Sequence, residues 1–205
     1  MRRGISRGAR SPLVDVERDA LTEAPGVSQS MGQMAFLETP RLVFQEMSLA
    51  DREFVGSMLA DPGVMRFYPE EIIQAGPEPW IERQLGRYRR DGHGLWLVLD
   101  KASGEPVGQV GLSMQDVNGA REPEVGYLIH SPFWRRGLAT EGALAVRDYA
   151  FTRLDMPRVV SLIRPANIPS RGVAEKLGMA IEGRALDWQL EHLVYAVSRS
   201  AVLSS

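Results

Sequence analysis

Residues 124–141 read EVGYLIHSPFWRRGLATE, and this stretch predicts a buried strand that leads through a tight turn into a helix. The apolar run over 125–129 is typical of a strand covered on both faces. Ser131-Pro132 interrupts the run, and we expect a helix over about 137–154. A strand that feeds into a helix in this way predicts a mixed α/β domain.

The beginning of this helix is a candidate anion site. The first amides of a helix have no partner inside it and carry partial positive charge, which favours a phosphate or a pyrophosphate. Gly137 and Ala139 have little or no side chain, so an anion can approach their backbone closely. A positive charge beside a helix N-terminus is unfavourable by ~0.3–1 kcal/mol. The positions of Arg135 and Arg136 are therefore better explained if an anion binds there. The alternative is that both arginines point into water, and the residues by themselves do not decide between the two.

The sequence on either side predicts one mixed α/β domain with seven strands and four helices. Ser48, with Asp51 three residues later, predicts the capping box of the first helix. Gly178 predicts the end of the last helix. The predicted strands cover 42–44, 95–99, 106–113, 124–130, 159–163, 179–183 and 190–197, and the helices cover 49–59, 80–88, 137–154 and 170–177.

Composition excludes several classes of protein. The 205 residues carry a formal net charge of −2, and no basic patch of the kind that binds nucleic acid appears after residue 10. The chain has no cysteine, which excludes disulfides, thiolate metal sites and an acyl-cysteine intermediate. Its three histidines lack paired spacing, so we expect no metal. No apolar run reaches about 18 residues, so we expect no contact with a membrane.

The N-terminal residues differ in composition from the rest of the chain. Residues 1–33 mix Arg, Ser, Gly, Pro and acids without periodicity, which predicts a disordered or loosely docked basic extension. A sharper hypothesis is that synthesis begins at Met31 or Met34. No apolar segment follows the first arginines, so we expect a cytoplasmic protein. A domain over 34–199 and a short tail over 200–205 complete the predicted organisation.

The motif WRRGLA at residues 134–139 resembles the coenzyme A pyrophosphate turn, Q/R-x-x-G-x-G/A, of the GNAT superfamily of N-acetyltransferases. Its first residue is Trp134 rather than Gln or Arg, which is usual in the branch similar to the RimJ and RimL ribosomal-protein acetyltransferases. Thr140-Glu141 fits the same branch. The resemblance implies a twisted mixed sheet, mostly antiparallel and splayed between its central strands, and acetyl-CoA as the cosubstrate.

Three further motifs, in the order that this branch shows, extend the resemblance over about 37–199. TPRL at residues 39–42 resembles its opening strand. GLW at 94–96 with SGEPVG at 103–108 resembles its central hairpin. Asn167 and Ser170, followed by EKLG at 175–178, resemble its last helix.

The resemblance also implies roles for individual residues. A bulge in the central strand would free amide donors near Leu128 and Ile129 for the acetyl carbonyl, which makes Leu128 a catalytic candidate. Ser170 is the candidate that assists departure of the thiolate, although it could instead cap its helix. The cofactor-binding candidates are Leu128, Ile129, His130, Arg135, Arg136, Gly137, Leu138, Ala139, Thr140, Asn167 and Ser170.

The general base is left open. Glu124 begins the predicted central strand, where related enzymes use a glutamate through water; an exposed charge at a strand end is the equal alternative. His130 has a suitable ordinary pKa, and His93 could line the cleft. The loop over 61–80 carries three glutamates that could attract a cationic amine or simply aid solubility.

The resemblance predicts transfer of an acetyl group to a primary amine by direct attack in a ternary complex. A protein N-terminus, a polyamine, an amino sugar and a small-molecule amine all stay open as acceptors, and so does a homodimer. A coenzyme A-binding regulator without turnover is the alternative function. A nucleotide-binding protein is remote, because the turn lacks the pattern G-x-x-x-x-G-K-[ST].

Overall fold

The computed structural model describes residues 36–203, which form one eight-stranded sheet with seven α-helices. The predicted extension over 1–33 and the last two residues of the predicted tail lie outside the described residues. The strands are β1 (Leu37–Glu38), β2 (Leu42–Gln45), β3 (Leu95–Asp100), β4 (Pro106–Val117), β5 (Ala120–Ile129), β6 (Arg158–Ile163), β7 (Ala180–Asp187) and β8 (Leu190–Ser198). The helices are α1 (Arg52–Leu59), α2 (Pro62–Met65), α3 (Glu70–Gln74), α4 (Pro77–Asp91), α5 (Leu138–Thr152), α6 (Ile168–Lys176) and α7 (Arg199–Leu203).

The sheet runs in the order β1-β2-β3-β4-β5-β6-β8-β7. Every neighbouring pair is antiparallel except β5 and β6, which are parallel. This confirms the predicted mixed, mostly antiparallel sheet and the predicted order of strands and helices. The prediction of seven strands omitted the two-residue β1.

The two parallel strands separate almost at once. Their pairing is confined to Glu124 and Val160, after which β5 and β6 diverge. We call the gap between them the seam. Across it, the Ser161 hydroxyl donates to the Val125 carbonyl at 2.7 Å, and the Leu162 amide donates to the Glu124 carboxylate at 3.2 Å. The splay implied by the family resemblance is therefore present, and side-chain groups replace part of the missing ladder.

Buried apolar residues cover both faces of the sheet. Along β3, Trp96 and Val98 join a cluster that includes residues of α5 and α6, whereas Leu97 joins a second cluster built from α1, α2 and α4. Successive side chains of a strand point to opposite faces, so this alternation shows a helical layer on each side.

Local sequence signals explain several element boundaries. Ser48 and Asp51 form the predicted capping box, which caps a 3₁₀ turn over Leu49–Asp51 directly before α1. The predicted loop over 61–80 contains two short helices, α2 and α3, instead of an open loop. The N-cap of α2 is Asp61, whose side chain accepts from the amides of Gly63 and Val64.

Within residues 36–203, no helix is long and apolar enough to cross a membrane.

Candidate active site

A cleft of about 930 Å³ opens along the seam. It runs beside β5 and reaches the beginning of α5, the beginning of α6 and one face of α4. Most of the predicted site residues line it: Glu124, Leu128, Ile129, Arg135, Gly137, Leu138, Ala139, Thr140, Asn167 and Ser170. Two predicted residues, His130 and Arg136, do not.

The turn before α5 leaves the helix N-terminus uncapped. Arg135 and Gly137 both have left-handed backbone, with φ of 61° and 78°. Gly137 is the N-cap and supplies no side-chain acceptor for the first amides of α5, at Leu138, Ala139 and Thr140. Those amides therefore face the cleft without a cap, which suits an anion bound by backbone N–H groups.

The two predicted arginines behave differently. Arg135 lines the cleft and makes no hydrogen bond to any described residue, so its guanidinium is available to an anion. Arg136 instead lies 5.2 Å from the centre of the Phe133 ring and donates to the Pro132 carbonyl at 3.2 Å. The turn thus offers one arginine to the cleft where the sequence suggested two.

A third arginine, which belongs to the TPRL motif, also contacts this turn. Arg41 donates to the Arg136 carbonyl at 2.8 Å. A Cβ atom added to Gly137 would have the Arg41 guanidinium as its nearest neighbour, at 3.5 Å. The space in front of Gly137 is therefore open except for a cation, and a diphosphate fits that arrangement of charge.

Glu141 joins the opening strand motif to the helix. Its carboxylate accepts from the Thr39 hydroxyl at 2.6 Å, from the Arg41 amide at 2.9 Å and from the Arg41 guanidinium at 2.5–2.6 Å. Burial opposes ionisation of Glu141, but these hydrogen bonds outweigh it and lower the pKa. We call this group the Glu141 clamp. The Glu141 clamp therefore joins the TPRL motif to the Thr140-Glu141 pair at the beginning of α5.

The backbone of β5 presents alternate amides to the seam. The His130 amide donates to a β4 carbonyl at 2.9 Å, and the register between β4 and β5 runs without a shift. Because amides alternate along an antiparallel ladder, the Leu128 amide also faces β4, and the amides of Tyr127 and Ile129 face the seam. Consistently, the Ile129 carbonyl accepts from Trp134 Nε1 at 2.6 Å. The expected bulge is absent from the β4–β5 pairing, and of the two predicted donors the Ile129 amide faces the seam, as the Tyr127 amide does, whereas the Leu128 amide does not.

The sequence predicts Glu124 at the beginning of the central strand. In the structure Glu124 lies within β5, because the strand begins earlier, at Ala120. It is half-buried in the cleft wall, where its carboxylate accepts from Gln115 Nε2 at 2.8 Å and from the Leu162 amide at 3.2 Å. Burial raises the pKa of Glu124, and the two hydrogen bonds partly offset that effect. The alternative of an exposed charge at a strand end is therefore wrong.

Asn167 and Ser170 stand at the beginning of α6. The expected helix start at Ser170 is wrong, because the N-cap is Asn167, whose side-chain oxygen accepts from the Ser170 amide at 3.3 Å. The Ser170 hydroxyl is released from the capping role and makes no hydrogen bond to a described residue. Tyr127 donates to the Ser170 carbonyl at 2.7 Å, which fixes the start of α6 against β5.

Two histidines considered as bases lie away from the cleft wall. His130 packs edge-on against Phe54, with ring centres 5.8 Å apart. His93 is buried, and its Nδ1 lies 2.9 Å from the Leu112 carbonyl. Neither lines the cleft, so among the candidate bases only Glu124 does.

Tyr68 and Trp80, which belong to the predicted segment over 61–80, line the cleft. The structure also adds cleft residues that sequence patterns did not reveal, from α4 and from the β7–β8 hairpin: Arg83, Arg87, Asp187, Trp188 and His192. Glu70, Glu71 and Glu78 do not line the cleft, so the attraction of a cationic amine by these acids is not supported. In the described part of the chain, no group of three or more His, Asp or Glu side chains could hold a metal ion.

Comparison with known proteins agrees with this geometry. Residues 41–180 match the family profile described as Acetyltransferase (GNAT) domain. The Bacillus subtilis (strain 168) protein YkkB is 31% identical over 140 residues, which cover 68% of this chain and 81% of YkkB. The N-acetyltransferase p20 of Bacillus licheniformis is 26% identical over 166 residues, which cover 76% of this chain and 88% of p20.

Solved structures show the same fold. An acetyltransferase from Agrobacterium tumefaciens superposes with a TM-score of 0.67 at 28% identity, and the match covers 80% of this chain and 94% of that one. Mycobacterium smegmatis RimJ, in complex with CoA-disulfide, superposes with a TM-score of 0.65 at 20% identity over 78% of this chain and 83% of RimJ. With the family profile spanning most of the described domain, the chain belongs to the GNAT family of acetyltransferases, and it is an N-acetyltransferase.

Proposed function

We propose that this enzyme transfers the acetyl group of acetyl-CoA to a primary amine by direct attack while both substrates are bound. The observation that carries the proposal is the uncapped beginning of α5, which opens into the same cleft as Glu124. One end of the cleft is suited to a diphosphate, and the other end holds a carboxylate with a raised pKa.

The residues of the turn would hold coenzyme A by its pyrophosphate. The amides of Leu138, Ala139 and Thr140 would donate to the phosphate oxygens, and Arg135 would add charge. Asn167 would contribute its side-chain NH₂ group, which makes no hydrogen bond to a described residue. Leu128 and Ile129 would contact the cosubstrate along β5. His130 and Arg136 lie outside the cleft lining, and the proposal gives them no contact with the cosubstrate.

Acetyl-CoA supplies a thioester, whose carbon–sulfur bond breaks as the amine nitrogen forms the amide. The amides of Tyr127 and Ile129 face the seam, where they would stabilise the oxyanion. Glu124 would accept the proton that the amine loses, directly or through one water molecule. Ser170 would place its free hydroxyl near the departing sulfur. Three of these residues lie on β5, which borders the seam, and Ser170 lies at the beginning of α6, which lines the same cleft.

The replacement Gly137→Glu tests the cofactor site. It puts bulk and negative charge where the pyrophosphate should lie, so we expect coenzyme A affinity to fall by about 100-fold or more, as measured by titration calorimetry. Gly104→Glu is the matched control, because Gly104 also has left-handed backbone, at φ 73°, and lies in the open turn after β3. It should lose similar stability and keep its affinity.

Unchanged affinity in Gly137→Glu would move the coenzyme A site elsewhere. Turnover needs its own test, since a regulator would bind coenzyme A without using it. Release of free thiol from acetyl-CoA should accompany acetylation of at least one member of a panel of peptides, polyamines, amino sugars and amino acids. Tight coenzyme A binding with no thiol release across that panel would favour the regulator.

A further inference from the structure

Two arginines of α4 face the cleft without an acidic partner. Arg83 and Arg87 are four residues apart, so they share one face of the helix, and both line the cleft. Neither forms an ion pair with any residue in 36–203. By contrast Arg90, on another face of the same helix, pairs with Asp91 at 2.7 Å. The unpaired arginines therefore mark the side of α4 that faces the ligand.

Arg87 is held in position by a buried side chain. Gln84 is 1% exposed, and its oxygen accepts from Arg87 Nη1 at 3.3 Å and from the Leu95 amide at 3.0 Å. Burial of the Arg87 guanidinium lowers its pKa. A half-buried guanidinium that faces a cleft and forms no ion pair with a described residue is suited to bind a negatively charged group of a ligand. A guanidinium presents parallel N–H groups that match a planar carboxylate.

The position of Arg87 assigns that negative charge to the acceptor and not to coenzyme A. The turn over residues 134–139, which is the proposed diphosphate site and which we call the phosphate turn, lies beyond the end of β5. Glu124 lies five residues before that end, about 17 Å along the strand. Arg87 belongs to the Glu124 end, because Gln84 accepts from both Arg87 and the Leu95 amide. Leu95 lies opposite Gly111 of β4, which in turn lies opposite Gly126, two residues from Glu124. An anion held by Arg87 therefore sits beside the candidate base and away from the diphosphate.

We propose that the acceptor is an amino acid, whose carboxylate is bound by Arg87 with support from Arg83 and whose amine faces Glu124. This inference rests on the proposed acetyl transfer and names its substrate class. Asp187, in the cleft wall, can accept from the same amine. Tyr68 packs near both Trp80 and Trp188, with ring centres 5.7 Å apart in each pair, so an apolar wall is available for the amino-acid side chain.

The test compares amino acids with matched compounds that lack the charge. Leucine and phenylalanine would each be assayed beside their amides and their decarboxylated amines. We expect the wild-type enzyme to favour the free amino acid by at least about tenfold in kcat/KM, in line with a charged hydrogen bond. Arg87→Gln should lose at least that factor with the acids and less than about twofold with the amides.

Two further variants separate charge, geometry and folding. Arg87→Lys keeps the charge but loses the paired N–H groups, so it should fall between the wild type and Arg87→Gln. Arg89→Gln changes an exposed arginine of the same helix that does not line the cleft, and it should match the wild type. Equal losses of Arg87→Gln with acids and amides, or a wild-type preference for the amides, would overturn the proposal.

Binding gives a readout that does not depend on turnover. With coenzyme A present, free amino acids should raise the melting temperature of the wild type more than their amides do, and Arg87→Gln should lose that difference. A wild type with no preference in either assay would refute the amino-acid assignment. Coenzyme A affinity itself should be unchanged in Arg87→Gln; a wild type that fails to bind coenzyme A would instead refute the proposed acetyl transfer.

Discussion

Glu124 is a carboxylate whose surroundings suit proton transfer. Burial raises its pKa, while the bonds from Gln115 and the Leu162 amide keep the side chain oriented. A base must lose its proton before it can act, so a raised pKa moves that ionisation towards neutral pH. The same surroundings make the charged form costly to the fold. Replacing Glu124 by a neutral residue should therefore lower activity and raise stability.

Replacing Glu124 with Gln should reveal its ionisation in the pH profile. In the wild type, kcat/KM should rise with pH as Glu124 loses its proton. The Glu124→Gln enzyme should be slower by about 100-fold or more, and its remaining rate should lack that step. Steady-state rates measured between about pH 5 and 9 would show the difference.

Stability provides the control for this variant. Because the folded-state pKa of Glu124 is raised, the folded protein holds the proton more tightly than the unfolded chain does. The folded protein is then most stable below the ordinary pKa of a glutamate and loses stability as pH rises through the folded-state pKa of Glu124. Glu124→Gln should accordingly be more stable than the wild type at pH 7 in urea unfolding. A variant that lost activity and stability together would be explained by damage to the fold and not by loss of a base.

The beginning of α5 owes its shape to a contact from a distant part of the chain. The Glu141 clamp attaches Thr39 and Arg41 to the first turn of the helix, and Arg41 in turn holds the Arg136 carbonyl. The phosphate turn is thus supported by the segment between β1 and β2, about 100 residues earlier in sequence.

Glu141→Gln should weaken both the fold and the cofactor site. The loss of charged hydrogen bonds should lower the free energy of unfolding by about 1–2 kcal/mol at pH 7. Since the pKa of Glu141 is lowered, its contribution is present above the ordinary pKa and is lost as pH falls through the folded-state pKa. The variant should therefore approach the wild type in acid, and urea unfolding at several pH values would measure this.

Glu38→Gln is the control for that experiment. Glu38 forms an ion pair with Lys101 at 2.7 Å, but its side chain is 54% exposed. Removing it should change stability by about 0.5 kcal/mol or less and should leave coenzyme A affinity unaltered. If Glu38→Gln and Glu141→Gln behaved alike, the clamp would be an ordinary surface contact.

At Gly111 the central strand β4 packs so closely against neighbouring main chain that a side chain does not fit. A Cβ atom at Gly111 would lie 2.0 Å from the Gly94 carbonyl oxygen and 2.6 Å from the Leu95 Cα atom. Both neighbours are main chain, so Gly111→Ala should cost about 3 kcal/mol or more in the free energy of unfolding. Gly86→Ala, inside α4 with nothing within 4 Å, should instead stabilise by about 0.5–1 kcal/mol. Equal effects of the two changes, in parallel denaturation curves, would contradict this account of β4.

Local signals predicted the order of elements but missed some boundaries. The β4–β5 hairpin turns at Asn118-Gly119, where both residues have positive φ, yet the polar residues around it hid this strong turn signal. For α6, a serine such as Ser170 is a good N-cap, which predicts a helix start there, and Asn167 before Pro169 is typical of a turn. Proline is tolerated in the first helical turn, and here it follows the Asn167 cap.

The cleft as a whole shows where prediction from sequence ends. The phosphate turn and Glu124 lie in one continuous stretch with its own pattern, so they could be found from sequence. Arg87 and His192 reach the cleft only because α4 and β8 pack beside the seam. On their own, an arginine in an amphipathic helix and a histidine in a strand carry no such signal. Long-range packing creates these neighbours, and no local periodicity encodes it.

The single pairing position between β5 and β6 has a consequence for how the chain reaches its native state. Strands β1 to β5 form an unbroken series of antiparallel neighbours in chain order, and β6 to β8 form a compact antiparallel group of their own. Within each group the strands pair along most of their length, whereas the two groups share one paired position and are joined by the crossover through α5. We therefore expect two folding units that dock last along the seam, so the proposed site of acetyl transfer lies at the boundary between them.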